Sequence, residues 1–403
     1  MNTVRTVATP RVESGVLRVV TFGVLIGSYV INAMDRQLFP LVAPDVRREY
    51  GFSLAGVGLL STVFTLGMAV AGVPTGFLLA RFSRRAVLQA GIALFSAGTA
   101  LTVVSRGFPD MLMYRTVTGI AEAMQLTVLL AIAANYSAGY RAAALGAVNF
   151  AFAIGAILGP VLGGALLAAY GSWHVPMVVF GALGFGAMAV IAVGVDPSCT
   201  ERDGPAAMHD DDGGAATLVN RNTILLTVMS LFGGLVMYGY LGLYPTFLRE
   251  GLGYPPTTAG SVMSLFGLGA LMSIGGGWIG DHGSPRIVLS VMFLTSAMLG
   301  YLLFNGSASY YWQAALSFAW GIVVSGIIYV NLAGYHVKAV RRHLAGRASG
   351  VFVTSLYVSA AFAGYLMGWI ANGVGWGTAG TIQISLCSLA AAALALALRA
   401  ERR

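Results

Sequence analysis

The stretch that decides the fold is residues 86–104, which read AVLQAGIALFSAGTALTVV. It contains no charged residue, and apolar side chains would lie on every face of a helix drawn through it. Nineteen helical residues span about 30 Å, the thickness of a bilayer's hydrocarbon core. A strand of a membrane β-barrel would instead alternate apolar and polar residues over about ten positions. The stretch therefore predicts a transmembrane α-helix.

Eleven further runs resemble it when each is bounded by charges, prolines or glycine clusters. With the first, the predicted spans are 17–38, 54–80, 86–104, 109–134, 142–169, 174–195, 223–247, 257–280, 287–304, 312–334, 349–372 and 378–398. The first span ends in the charged pair Asp35-Arg36 and not in a small-residue cleavage site, so it is not a signal peptide. The sequence predicts an all-α membrane protein of twelve transmembrane helices in two pseudo-symmetric six-helix bundles.

The composition excludes most other classes. Hydrophobic residues make up 57% of the 403 residues and charged residues 9%, whereas soluble domains carry about 25% charged residues. The net charge of +8 is spread over short clusters between apolar runs, so we expect no nucleic-acid partner. With two cysteines, no metal-binding spacing and no phosphate-binding loop, the sequence predicts no metal, no cofactor and no enzyme.

Lysine and arginine set the orientation. Of the 23 such residues, 17 fall in the segments on the N-terminal side of the predicted membrane, four on the opposite side and two within spans. Basic residues favour the cytoplasmic side. We therefore expect a multi-pass protein of the cell membrane, in contact with the lipid bilayer, with both termini in the cytoplasm.

One polar segment divides the chain. Residues 196–221 contain the acidic run Asp210 to Asp212 together with proline and glycine, a composition typical of a flexible linker. A metal site in the acidic run is the less favoured interpretation. The predicted domains are an N-terminal bundle at 1–195, the linker at 196–221 and a C-terminal bundle at 222–403, in a monomer.

Two loops resemble each other. Gly76 and Gly277 begin the loops after spans 2 and 8, and each loop has an arginine nine positions later. Equivalent loops in two halves are typical of transporter repeats, although two ordinary basic loops would look similar. The candidate gating residues in these loops are Gly76, Arg81 and Arg85 in the first copy and Gly277, Asp281 and Arg286 in the second.

A glycine motif marks span 5. Gly155, Gly159 and Gly163 recur every four residues and lie on one helix face, which permits close approach of another helix. Pro160 removes a backbone hydrogen bond and permits a bend. The same residues serve packing alone or gating, and the sequence leaves both open.

Four ionisable residues lie well inside spans: Asp35, Arg36, Arg115 and Glu122. A charge in the membrane costs about 2.5–3.5 kcal/mol on insertion scales, so a functional role is the default. From the span limits, we expect Asp35 and Arg115 at one level, with Glu122 about 10 Å deeper on the same face of span 4.

This arrangement suits proton-coupled transport of an anion. An arginine holds a carboxylate with two hydrogen bonds, and a carboxylate in a dry site exchanges a proton. A bound anion competes with the carboxylate for the arginine, so anion and proton binding are linked. The alternative is a structural ion-pair network between spans 1 and 4. An ATP-driven pump is unsupported.

The loops and the span 5 motif resemble those of the major facilitator superfamily. The loop signature is Gly-x-x-x-Asp-Arg-x-x-Arg-Arg; Ala80 replaces its aspartate in the first copy and His282 replaces its arginine in the second. The resemblance implies that charge contacts of these loops hold the inward-closed state.

The motifs Asn32-Ala33-Met34-Asp35-Arg36 and Arg115-x-x-x-Gly119-x-x-Glu122 resemble those of the anion:cation symporter family. This resemblance implies uptake of organic anions with protons, substrate contact by Arg36 and Arg115, and proton transfer by Asp35 and Glu122. Ala33 stands where that family has a substrate-facing tyrosine. Spinster-like lipid transporters share the same charged features.

Weaker candidates for substrate contact are polar residues inside other parts of the spans, although tyrosines near span ends more often anchor a helix at the interface. They are Asn32, Gln125, Asn149, Tyr238, Tyr244, Asn331 and Tyr357. The favoured function is proton-coupled uptake of a small organic anion, such as a carboxylate or sugar acid. The alternatives are a proton-coupled exporter of amphipathic drugs or lysolipids and, with less support, a receptor or scaffold.

Overall fold

The computed structural model describes residues 15–134, 141–196, 200–201, 214–341 and 344–399. Almost all of them are helical. The helices are α1 (Gly15–Tyr50), α2 (Leu54–Thr62 and Phe64–Leu79), α3 (Arg84–Leu101), α4 (Phe108–Ala134), α5 (Arg141–Tyr170), α6 (His174–Gly194), α7 (Arg221–Thr246), α8 (Pro256–Ala270 and Ser273–His282), α9 (Pro285–Asn305), α10 (Tyr310–Trp320 and Val330–Lys338), α11 (Ala345–Val374) and α12 (Trp376–Ala379 and Cys387–Leu396).

Helices α2 to α12 are long and apolar enough to cross a membrane. α1 is the twelfth, and its 36 residues extend over about 54 Å. The predicted fold of twelve transmembrane helices is confirmed. We call α1–α6 the N-terminal half and α7–α12 the C-terminal half.

The limits of α1 differ from the prediction. The sequence placed the end of the first span at residue 38, but the helix continues to Tyr50 and contains Pro40 and Pro44. Membrane helices tolerate proline because neighbouring groups satisfy the freed backbone carbonyls. Asp35 consequently lies in the middle of α1 and not near its end.

Among the described residues, three helices contain or end in a π-helical turn, the first of which is Phe247–Gly251 at the end of α7. In α10 the turn is Gly321–Tyr329, and in α12 it is Gly380–Leu386. Such turns rotate the following residues and are frequent at functional sites. In α10 the turn ends at Tyr329, whose hydroxyl lies 3.4 Å from that of Tyr357 on α11.

Most of the predicted linker lies outside the described residues, and the division into domains stays a prediction. Its described ends contact both halves. The Glu201 carboxylate accepts hydrogen bonds from the backbone N–H groups of Arg84 and Arg85 at the start of α3, both at 3.1 Å. Ala215 forms a parallel bridge with Val340, after α10.

Candidate functional site

Four buried ionisable side chains lie together in the N-terminal half. Arg36 Nε is 3.0 Å from a carboxylate oxygen of Glu122, and the two side chains are 4% and 0% exposed. Asp35 and Arg115 are buried beside them and interact electrostatically with the pair. α1 supplies Asp35 and Arg36, and α4 supplies Arg115 and Glu122. We call these four residues the charge cluster.

The position of Asp35 corrects the predicted arrangement. Its carboxylate accepts a 2.8 Å hydrogen bond from the Thr99 hydroxyl on α3, and the next residue along α1, Arg36, pairs with Glu122. Glu122 does not lie about 10 Å deeper than Asp35, because it pairs with the adjacent Arg36, whereas Arg115 does interact electrostatically with Asp35. Because α1 continues to Tyr50, Asp35 lies about 22 Å from the end of its helix, at the depth of Glu122.

Arg115 is held away from the carboxylates. Its guanidinium carbon lies 4.7 Å from the centre of the Phe39 ring and 5.5 Å from that of Phe64. Its Nε donates to the Leu60 carbonyl at 3.4 Å, and its two Nη atoms have no hydrogen-bond partner among the described residues. Within the charge cluster, Arg115 therefore supplies a fixed positive charge. Its contact with substrate stays a prediction.

A chain of amides connects α1 and α4 next to the cluster. The Asn32 amide donates to the Gln125 carbonyl oxygen at 2.9 Å, and the Gln125 amide donates to the Ser28 hydroxyl at 3.0 Å. Ser28 in turn donates to the Leu25 carbonyl at 2.6 Å, so the orientation of each amide is set by the next partner. Asn32 and Gln125 thus hold the two charged helices in register.

Arg36 also faces the C-terminal half. It lines a small cavity of about 10 Å³ between the halves, which has room for about one water molecule. Aromatic and apolar groups form most of the remaining wall. The lining residues are Arg36, Gln37, Pro40, Ser61, Phe64, Phe152, Tyr238 and Leu241.

Tyrosines from both halves gather around Arg36. Its guanidinium carbon is 5.7 Å from the centre of the Tyr29 ring. The rings of Tyr238 and Tyr357 are 6.0 Å apart, and the Tyr357 hydroxyl is 3.4 Å from that of Tyr329. The predicted candidates Tyr238 and Tyr357 are therefore brought to Arg36. The site combines one buried cation beside the cavity, phenol hydroxyl groups and aromatic walls.

Sequence reasoning missed three members of this site. Tyr29 precedes Arg36 by seven residues, or two helical turns, and this spacing was a usable signal. Thr99 is one of many threonines in apolar spans and had none. Tyr329 is directed by the π-helical turn of α10, which helical periodicity does not reveal.

Three weaker candidates lie elsewhere. Tyr244 is buried within the C-terminal half, where its hydroxyl donates to the Gln313 side chain at 2.8 Å. The Asn331 amide donates to the carbonyls of Gly276 and Ile327, both at 2.9 Å, and so ties α10 to α8. Asn149 is exposed on α5. The structure brings none of the three to Arg36.

The glycines of α5 face α1, as their spacing predicted. A Cβ atom at Gly155 would lie 2.4 Å from Cβ of Ala33, and one at Gly159 would lie 2.7 Å from the carbonyl oxygen of Met34. Gly163 packs similarly on Leu38. Ala33 is therefore fully buried against α5, at the position where the related symporter motif has tyrosine.

The sequence profile of the Major Facilitator Superfamily matches residues 25–364. The chain belongs to this superfamily. Protein spinster of Drosophila melanogaster is 26% identical over 335 residues, covering 75% of this chain and 54% of that protein. The chain thus spans about half the length of this relative. The 4-hydroxybenzoate transporter PcaK of Pseudomonas putida is 23% identical over 382 residues, covering 86% of this chain and 84% of that protein.

The fold matches a solved structure of the superfamily. The crystal structure of a bacterial homolog to the human lysosomal transporter spinster, in an inward-facing and occupied conformation, gives a TM-score of 0.72 at 18% identity, with 96% of each chain covered. At this identity the likeness concerns the fold. The relatives of this facilitator are transporters, in agreement with the prediction of a non-enzymatic membrane protein.

Within the described residues, the close backbone contacts between the two halves of this facilitator lie toward one side of the molecule. We call the side where α1 begins the terminal side and the opposite one the far side. On the far side a Cβ atom at Gly58 would lie 2.1 Å from the carbonyl oxygen of Gly364, so α2 and α11 are in backbone contact. Gly76 on α2 and Gly346 on α11 lie five helical turns from Gly58 and Gly364, on the same helix faces. A Cβ atom at either position would have no neighbouring atom within 4 Å.

Helices α5 and α8 separate in the same direction. A Cβ atom at Gly260 would lie 2.3 Å from the carbonyl oxygen of Pro160, and one at Gly164 would lie 2.6 Å from that of Pro256. Gly146, five turns from Gly164 toward the terminal side, has nothing within 4 Å. The facilitator is therefore closed on the far side and open on the terminal side.

The two signature loops lie on the open side and form no contact between halves in the described residues. Arg81 and Arg286 are exposed. Arg85 donates to the carbonyls of Ile191 and Ala192 on α6, within its own half. Likewise, Asp281 receives a 2.7 Å hydrogen bond from Lys338, which joins α8 to α10. A Cβ atom at Gly277 would lie 3.8 Å from Cγ1 of Val330 on α10.

Charges close the far side. Arg249, after α7, forms a two-pronged ion pair with Asp45 of α1 and donates to the Leu41 carbonyl at 3.0 Å. Arg47 of α1 pairs with Glu250 at 2.7 Å. The two ion pairs run in opposite directions between the halves, and we call them the far-side clasp. Arg47 and Arg249 are two of the four basic residues that the sequence places on this side of the membrane, where they had no assigned role.

Proposed function

We propose that this facilitator is a secondary transporter that couples protons to the uptake of a small organic anion by alternating access. The single observation that carries the proposal is the buried Arg36–Glu122 ion pair beside a cavity between the halves. A buried ion pair is costly because both charges lose their hydration. Here Arg36 lines the cavity between the halves, where a bound substrate would meet it.

The pair links proton and anion binding. An anion that reaches the cavity competes with Glu122 for the Arg36 guanidinium, which can hold a carboxylate by two parallel hydrogen bonds. Glu122 without its partner is an anion in a dry site and favours its protonated form. Asp35 lies within reach and accepts or supplies the proton. Substrate binding therefore draws in a proton.

The surroundings of Arg36 favour an anion with an aromatic or apolar body. Phe64, Phe152 and Tyr238 line the cavity with it, and the phenols of Tyr29 and Tyr357 lie nearby as hydrogen-bonding groups. A relative that covers most of the chain is named for 4-hydroxybenzoate, an aromatic carboxylate. Sugar acids carry several hydroxyl groups and need more hydrogen-bond partners than this mostly apolar lining offers. They are therefore the less favoured carboxylate substrates.

The excess of lysine and arginine on the terminal side supports an orientation in the plasma membrane with both termini in the cytoplasm. The open terminal side then faces the cytoplasm. In this proposal the glycines of α5 permit rocking of the halves, and the signature loops hold the opposite state, in which the terminal side closes. The transporter acts as a monomer with substrate and protons as its partners.

A second candidate is proton-coupled export of amphipathic or lysolipid compounds. A groove of about 600 Å³ lies between α1 and α6 and is open toward the outside of the bundle. Val24, Ile31 and Leu183 are among its apolar lining residues, and Ser28 contributes a hydroxyl group. Such a groove suits an acyl chain, and spinster is among the relatives.

Purified protein in liposomes separates the candidates. We expect saturable uptake of radiolabelled 4-hydroxybenzoate that increases when the outside is made acidic, and loss of this uptake in Arg36→Gln. Protein-free liposomes control for passive entry of the neutral acid. Absence of saturable uptake of 4-hydroxybenzoate and glucuronate, with proton-driven export of a fluorescent lysolipid, would favour the second candidate. Absence of any transport would favour a scaffold.

A further inference from the structure

The cavity beside Arg36 has two polar groups that the exchange of ion partners does not use. They are the side-chain amide of Gln37 on α1 and the hydroxyl of Ser61 on α2. Both residues are buried, with exposed fractions of 5% and 1%. Buried polar side chains nearly always have hydrogen-bond partners, so the partners of these two groups indicate what the cavity is built to hold.

The Gln37 amide has no such partner. It forms no hydrogen bond to any other residue that the structure describes, and it lines the cavity. By contrast, both ends of the nearby Gln125 amide are bonded, to Asn32 and to Ser28. An amide carries two N–H donors and one carbonyl acceptor. Gln37 therefore offers both kinds of hydrogen-bonding group to whatever enters the cavity.

Ser61 offers only an acceptor. Its hydroxyl hydrogen is donated to the Val57 carbonyl of its own helix at 2.9 Å, which leaves the oxygen lone pairs for a further partner. That partner must carry a hydrogen to donate. A hydroxyl group meets the requirements of both residues, because it donates one hydrogen bond and accepts another. The cavity volume of about 10 Å³ also corresponds to a group of about this size.

We propose that Gln37 and Ser61 form a subsite for a hydroxyl group of the substrate and select carboxylates that carry one. We call these two residues the hydroxyl subsite. This inference rests on the proposed function and specifies its substrate class. The substrate carboxylate pairs with Arg36, the neighbour of Gln37 on α1. The substrate hydroxyl donates to the Ser61 oxygen and accepts from the Gln37 amide.

The hydroxyl subsite lies toward the closed side of the transport path. Pro40, which lines the same cavity, is one helical turn beyond Arg36 in the direction of the far side. Thr62, next to Ser61 on α2, donates to the Ala361 carbonyl of α11 at 2.8 Å. The halves are therefore joined directly beside the subsite. A substituent that cannot form hydrogen bonds would leave a buried amide without a partner there, which lowers affinity.

A matched set of inhibitors tests the selectivity. Fluorine is close to a hydroxyl group in size but cannot donate a hydrogen bond. In liposomes at one fixed pH, we expect 4-hydroxybenzoate to inhibit uptake of its radiolabelled form at least about tenfold more strongly than 4-fluorobenzoate does. The same comparison of 3-hydroxybenzoate with 3-fluorobenzoate covers the second ring position. Inhibition constants avoid the passive entry of the neutral acids as a source of error.

Two variants assign the preference to the hydroxyl subsite. Gln37→Met keeps the length of the side chain without its polar atoms. It should bring the ratio of the two inhibition constants close to one and change the constant of 4-fluorobenzoate by less than about twofold. Ser61→Ala should lower the ratio in the same direction and decides the matter if the first variant does not fold. Gln89→Met is the matched control, because Gln89 lies on α3 outside the cavity lining, and it should keep the wild-type ratio.

The outcomes separate this inference from the proposed function. Saturable uptake with equal inhibition by the hydroxyl and fluoro compounds overturns the subsite and leaves anion transport in place. A preference for the hydroxyl compounds that survives both Gln37→Met and Ser61→Ala also overturns it, and assigns the recognition to a phenol such as that of Tyr238. Absence of saturable uptake of both 4-hydroxybenzoate and glucuronate contradicts the proposed function itself, and the inference with it.

Discussion

The two arginines of the charge cluster differ in their surroundings, and this difference assigns them different tasks. Arg36 lies beside the cavity, where a substrate can replace Glu122 as its partner. Arg115 lies between two phenylalanine rings and is 0% exposed. A guanidinium over an aromatic face is stabilised without a carboxylate. Arg115 thus serves as a fixed charge, whereas Arg36 exchanges partners.

Glu122→Gln is expected to remove proton coupling and to retain anion exchange. Glutamine cannot bind the proton, but it preserves the shape of the side chain and leaves Arg36 available to the anion. Counterflow of labelled against unlabelled 4-hydroxybenzoate should continue, while accumulation driven by a pH gradient should fall at least tenfold. Normal pH-driven accumulation by this variant would remove Glu122 from the mechanism.

Arg115→Lys and Arg115→Gln form a matched pair for the fixed charge. If Arg115 contributes charge and no substrate contact, lysine should retain most of the pH-driven uptake and glutamine should lose it. Each variant loses the planar stacking on phenylalanine, which costs about 0.5–2 kcal/mol of stability. Thermal unfolding in detergent therefore serves as the control. Equal loss of uptake in both variants at equal stability would point to a specific role of the guanidinium.

At the scale of the element, the sequence predicted most of the helices because apolar runs bounded by charges, prolines and glycines correspond to membrane spans. It did not predict the length of α1, since Pro40 and Pro44 are normally signs of a helix end. It also missed the π-helical turn of α10, because a one-residue change in backbone pairing leaves no pattern in hydropathy.

The same limit applies to the candidate site. The sequence identified all four charged residues, since charges inside apolar spans stand out without further information. Their mutual arrangement required the true end of α1, and the convergence of tyrosines from four helices required the packing of both halves. A tyrosine that faces a cavity and one that lies in the core, such as Tyr238 and Tyr244, look the same in the sequence.

Ala33→Tyr tests the packing of α1 on α5. The related symporter motif has tyrosine at this position, but here Ala33 lies against Gly155 with no space for a larger side chain. Overpacking of this kind costs about 1–3 kcal/mol or more, so we expect a lowered thermal unfolding temperature and reduced yield. Ala33→Ser is the matched control and should retain wild-type stability. A stable and active tyrosine variant would show that α5 is free to move away.

The two sides of the transporter differ in their contacts between the halves. The far side is closed by glycine contacts of α2 with α11 and by the far-side clasp, whose ion pairs are partly exposed. The terminal side is open in the part of the chain that the structure describes, and the contacts of the signature loops seen there lie within their own halves. A transporter must open each side in turn, so the contacts of the closed side must be weak enough to break. Ion pairs near the surface meet this requirement, because water solvates the separated charges at little cost.

The far-side clasp therefore sets the population of the two states, and exchanging its charges tests this. Asp45→Arg places two arginines opposite each other and should shift the equilibrium toward the far-side-open state by about 1–2 kcal/mol, a factor of about 5–30 in population. Arg249→Asp should do the same. The double variant Asp45→Arg with Arg249→Asp restores opposite charges and should return the population toward that of the wild type.

Spin labels on the far-side loops measure this population. Arg106 and Ser307 are exposed in loops of opposite halves. After the native cysteines are replaced, spin labels on cysteines introduced at these two positions report the distance between the halves by double electron–electron resonance. The single variants should show a longer distance and the double variant a distribution close to that of the parent. High salt should lengthen the parent's distance and shorten that of the single variants, because it screens an attraction in the parent and a repulsion in the variants. Unchanged distances in both single variants would mean that the glycine contacts alone close the far side.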